Sequence, residues 1–148
     1  MMTLSVFITL HKPEILKEWD NFAKKLLISK KEHEAFRLRD HAEEIMRELI
    51  VDMTKKQSQQ QQADKSQDIE SAKALPESAA NVHGLLRHHD GMTVTEVVAE
   101  FRALRATVLR LWLPTLTEMS DEVINDIIRF NEAIDKAVAD SIVSYDHQ

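Results

Sequence analysis

The side chains in this sequence with the most chemical potential are polar groups set on apolar helical faces. They are Arg105, Asn131, His41 and Asp52, with Asp135 at the edge of one such face. Arg105 falls among Val98, Phe101 and Trp112 at helical spacing. A guanidinium on that face needs a partner or an exit to solvent, because an unpaired buried charge is strongly unfavourable. If the last two helices pack together, Asp135 can pair with it or Asn131 can accept from it. Two kinds of chemistry fit this set. One is a satisfied polar network that fixes helix register. The other is a small pocket for an anionic or uncharged ligand, with Arg105 as its charged anchor. His41 reads either as a histidine bonded to a nearby backbone group or acid, or as a ligand or proton-sensing residue.

Familiar catalytic patterns do not occur. The two glycines are isolated, so no phosphate-cradling loop forms. His33-Glu34 and His41-Ala42 lack the second histidine of a zinc-protease helix. Cysteine is absent, which removes thiol nucleophiles, thiolate metal sites and disulfides. No cofactor is expected. His88-His89-Asp90 reads as a solvated turn before Gly91 rather than a metal site. His83 is a candidate phosphoacceptor, since His83-Gly84-Leu85-Leu86-Arg87 keeps part of the arrangement of a phosphotransfer helix. The same residue, or His41, is a candidate axial ligand if the domain holds haem.

Helices must position these groups. Only two glycines and three prolines punctuate 148 residues, which disfavours a strand-and-turn architecture. The organising element is 91–112, GMTVTEVVAEFRALRATVLRLW, whose Val94, Val97, Val98, Phe101, Leu104, Val108, Leu111 and Trp112 recur at three- and four-residue steps. Thr93 and Glu96 form a capping box at its start, and Pro114 interrupts it. Before it, Gly91 is placed as a left-handed cap for a shorter helix beginning near Pro76. That helix buries Leu75, Ala79, Val82, Leu85 and Leu86, with His83 on the flank. Residues 3–10 form a short helix, and a second runs from Pro13 to Leu27 on the face Ile15, Leu16, Trp19, Phe22, Ala23 and Leu26. A third spans about 34–55 on Leu38, Ala42, Ile45 and Leu49. Ser120 caps the last, whose stripe is Ile124, Ile127, Ile134, Val138, Ile142 and Tyr145. Residues 55–74 are polar and low in complexity, a solvated connection or frayed helical extension. The fold expected is all-α, a single domain of five to six helices in an antiparallel or globin-like bundle.

Composition narrows the function. A net charge of −6 argues against nucleic acid and anionic membranes. No apolar run approaches spanning length, and the first residues lack a basic region and cleavage site, so a cytoplasmic protein is expected.

Four blocks carry a family resemblance: LRDHAEEIM at 38–46, AANVHGLLR at 79–87, the organising helix, and RFNEAIDKAVADSIVSY at 129–145. In this order they resemble the N-terminal domain of RsbT co-antagonist proteins of the RsbRD type, a domain also found at the front of bacterial sensor histidine kinases. The resemblance implies a sensory or regulatory input domain that dimerises and serves a downstream PAS, kinase or STAS output domain. It implies no catalysis by the domain itself, and an unknown small-molecule signal. It assigns no role to Arg105, His41, His83 or Asn131. The last helix, without a glycine or proline stop, is expected to continue into the output domain. The competing expectations are a phosphotransfer protein using His83, a haem- or ligand-binding globin-like sensor, and a pure dimerisation scaffold.

Overall fold

The computed structural model describes residues 3–27, 35–54 and 78–146, and their side chains over 3–26, 42–54 and 78–146. Among them it is an all-α bundle of six helices without a strand. They are α1 (Leu4–Leu10), α2 (Lys12–Leu27), α3 (Ala35–Thr54), α4 (Ala79–His89), α5 (Val94–Trp112) and α6 (Asp121–Asp146). A single 3₁₀ turn, Leu113–Thr115, holds Pro114 and ends α5. The polar stretch 55–74, with Leu75 and Pro76, lies outside the described residues.

Local chemistry sets the helix ends. Thr93 Oγ1 accepts from the Glu96 amide at 3.1 Å, and the Glu96 carboxylate accepts from the Thr93 amide at 2.9 Å. Gly91 takes φ +84°, where a side chain would be strained, and lets the Met92 amide return to the Arg87 carbonyl. The Val123 amide donates to the hydroxyl of Ser120 at 3.3 Å. Ser78 and Asn81 form a further capping box at α4.

The core is one cluster. Phe101, Leu104 and Trp112 of α5 are fully buried against Ile15 and Trp19 of α2, Ile45 and Met46 of α3, and Phe130 and Ile134 of α6. Helix α6 packs against α1, α3, α4 and α5. Short α1 is tied to it by the Leu4 amide, which donates to the Asp126 carboxylate at 3.0 Å.

Helix α4 is rotated from the sequence reading. In α4 the buried residues are Ala80, His83, Gly84 and Arg87, while Leu85 is 46% exposed. The reason is close approach: a Cβ on Gly84 would lie 2.0 Å from the Ser141 carbonyl oxygen of α6, so the glycine must face that helix. The Asn81 amide group then donates to the Asp140 carbonyl and the Ser144 hydroxyl, and Ser141 Oγ donates to the Ala80 carbonyl at 2.7 Å. In α6 the stripe read from sequence faces the core at Ile127, Ile134, Val138 and Tyr145, joined by Val123, Phe130 and Ala133, and only Ile124 stands outside, at 45% exposure.

Candidate functional site

The rotation of α4 carries His83 and Arg87, one turn apart, into the interior. There they meet Glu100 of α5, itself buried because it lies three residues after Val97 and four before Leu104 on the core face. The Arg87 guanidinium grips the carboxylate with two parallel bonds, Nε to Oε1 at 2.9 Å and Nη2 to Oε2 at 2.7 Å. Its remaining nitrogen, Nη1, donates to Asp90 at 3.1 Å. His83 Nε2 lies 3.0 Å from Glu100 Oε1. An ionised carboxylate only accepts, so the bond requires the proton on Nε2. From α2, Trp19 Nε1 donates to the Glu100 carbonyl at 2.6 Å. The indole and Phe101 stand beside the imidazole, with ring centroids 5.9 Å and 5.6 Å from it.

Electrostatics favours the ionised form of Glu100. Burial works to raise its pKa, but His83 and Arg87, by charge and by hydrogen bonding, outweigh that and hold it below the ordinary carboxylate value. The bidentate fork and the burial of both partners make this a strong, geometrically specific contact. It joins α4 to α5, and the Trp19 bond adds α2.

The cluster leaves little room. Leu16, Asp20, Ala23 and Ala42 close a cavity of about 10 Å³ beside it, enough for one water at most. A porphyrin does not fit beside His83, whose imidazole is buried and turned onto Glu100. Among the described residues no three His, Asp or Glu side chains gather as a metal site.

The residues singled out from sequence do not converge. Arg105 does pair with Asp135, Nη2 to Oδ1 at 2.5 Å, but the pair lies on the outside of α5 and α6, with side chains 34% and 63% exposed. Asn131 is on the same side, and neither its Oδ1 nor Arg105 Nε has a hydrogen-bond partner although both atoms are buried. Asp52 lines a separate groove of about 250 Å³ with Glu48, Lys136 and Asp140, between α3 and α6. The side chain of His41 lies outside the described residues. His83, read as a flank residue, is at the centre of the buried cluster.

Sequence reasoning missed Glu100 and Arg87. The signal for Glu100 was its place on the stripe of the organising helix. For Arg87 it was the one-turn spacing from His83, with a glycine between them on the next face.

No family model matches this chain, no curated protein matches it, and no solved structure matches its fold. No helix is long and apolar enough to cross a membrane among the described residues.

Proposed function

We propose that this chain is a signal-input domain of a bacterial sensor kinase or stress-signalling co-antagonist. It works in the cytoplasm as a homodimer, has no catalysis of its own, and passes changes in helix packing to a PAS, kinase or STAS output domain. One observation carries the reading: α6 packs against α1, α3, α4 and α5 together. A rearrangement at any of them reaches the same helix. The buried Arg87–Glu100–His83 cluster supports it by tying α4 and α5, both neighbours of α6, through charged contacts. The four sequence blocks resembling RsbRD-type input domains supply the pathway class.

The test is a fusion. The chain is joined through α6 to a histidine-kinase core that lacks its own input domain, and one to four residues are inserted at the junction. Autophosphorylation is expected to rise and fall with helical phase, at roughly 3.6 residues per cycle, and to shift in Glu100→Gln. Activity indifferent to both the junction length and the substitution rejects the reading.

A further inference from the structure

We propose that the turn at 90–92 is a clasp on the end of α6, held closed by the buried Arg87–Glu100 pair and opened when that pair parts. This rests on the reading of α6 as the output helix. It adds the route by which the interior reaches the last turn of that helix.

The clasp is built on Arg87, whose side chain and backbone hold different things. The guanidinium holds Glu100 of α5 by two bonds and Asp90, the first residue of the turn, by a third. Arg87 therefore pins the turn to α5 from within. Its carbonyl accepts from the Met92 amide at 3.0 Å, which closes the turn over Gly91. The Gly91 amide donates to the His88 carbonyl at 3.1 Å. Met92 is anchored a second time by its side chain, which is fully buried in the core.

Tyr145 meets this turn from α6. Its hydroxyl donates to the Met92 carbonyl at 2.8 Å. Its ring meets that of His88 edge to face, with centroids 4.5 Å apart and planes at 86°. From Glu100 to Tyr145 the path runs through Arg87 and Met92 alone, and no hydrogen bond along it is longer than 3.0 Å. The end of α6 has another hold that bypasses Arg87: Asn81, at the start of α4, donates to the Ser144 hydroxyl at 2.9 Å. Opening the clasp thus loosens the final turn and leaves the rest of the α4–α6 contact in place. Coupling of this kind requires that both ends bias one element, and here that element is the turn.

Hydrogen exchange on the full chain at constant pH, read from peptides of α1, α4 and the end of α6, tests this. Tyr145→Phe keeps the ring and loses the hydroxyl bond. It is expected to speed exchange over the last turns of α6 roughly fivefold and to leave α1 unchanged. Glu100→Gln is expected to speed the end of α6 by more than it speeds α1, although Glu100 does not touch α6. Arg87→Lys, which keeps the buried charge but loses the fork, should do the same and serves if Glu100→Gln does not fold. In the Tyr145→Phe background neither substitution should speed the end of α6 beyond its effect on α1, because the clasp is already open. Equal acceleration in α1 and α6 for the single variants overturns the clasp, as does an additive effect in the double ones. Either result leaves the signal-input reading to the fusion experiment. A fusion indifferent to junction length, with the exchange pattern as expected, rejects that reading and leaves the clasp as a property of the bundle.

Discussion

Glu100 is the residue on which the buried cluster depends, and its chemistry makes a prediction with a definite sign. Its folded-state pKa is held below the ordinary carboxylate value of about 4.3. Such a group contributes stability that is fully present above the unfolded value and is lost as pH falls through the folded one. Urea unfolding followed through the tryptophans should therefore show a midpoint that drops as pH is taken from neutral into the acid range. Glu100→Gln should remove that part of the pH dependence. It should also lower stability at neutral pH by about 3–5 kcal/mol, because Arg87 is left buried with a neutral partner. Equal acid sensitivity in wild type and variant would show that other carboxylates govern the transition. The Arg105–Asp135 pair, exposed as it is, should behave differently: Asp135→Asn is expected to cost no more than about 1 kcal/mol. These two contacts also separate what the sequence could convey at this scale. Arg105 and Asp135 sit on stripes of consecutive helices, so their meeting followed from antiparallel packing. Glu100 finds its partners on α4, and α2 reaches it across 81 residues of chain through Trp19. No local periodicity encodes that.

At the scale of the element, glycine divides into two kinds. Gly91 ends α4 with φ +84°, and a Cβ added there would meet nothing within 4 Å. Gly91→Ala should cost about 1–2 kcal/mol, the strain of a left-handed alanine. Gly84 has ordinary helical geometry. By propensity alone, alanine there should stabilise the helix by roughly 0.5–1 kcal/mol. The contact decides otherwise, since the new Cβ would meet backbone of α6 at 2.0 Å and backbone cannot rotate away. Gly84→Ala is expected to be the more damaging of the two, read as a lower thermal midpoint, and a neutral or stabilising result would mean α4 and α6 sit further apart. The cap at Gly91, the Thr93–Glu96 box and the Ser120 cap were legible in the sequence because each is settled within four residues. The buried face of α4 was not. A hydrophobicity reading selects Leu85 and Leu86, whereas α6 selects the smallest residue and α5 selects the two that can satisfy a carboxylate. The stripe of α6 kept its face, with Val123 and Phe130 added to the interior and Ile124 alone left outside.

For the whole molecule, that exposed Ile124 has a consequence. The helix that touches four others also carries the most exposed isoleucines among the described residues, so one of its faces collects the packing of the bundle while the other stands open. If the copies associate through it, folding and association are linked. A folded dimer that unfolds to two chains gains about 1.4 kcal/mol per mole of dimer for each tenfold rise in concentration. With the entropy of unfolding typical of a domain this size, the melting temperature should rise by roughly 2 °C per tenfold. Ile128→Asp should melt at one temperature whatever its concentration, and should do so with the wild-type helical signal, because the side chain it replaces contributes little to the core. A wild-type melt independent of concentration, in a chain that sediments as a dimer, would mean that the monomer is stable by itself and that dissociation precedes unfolding. The cluster at Glu100 would then hold the bundle without help from the partner. In that case Glu100→Gln should lower the melting temperature equally in the wild-type background and in Ile128→Asp, whereas linkage through α6 predicts that the two substitutions together cost more than their sum.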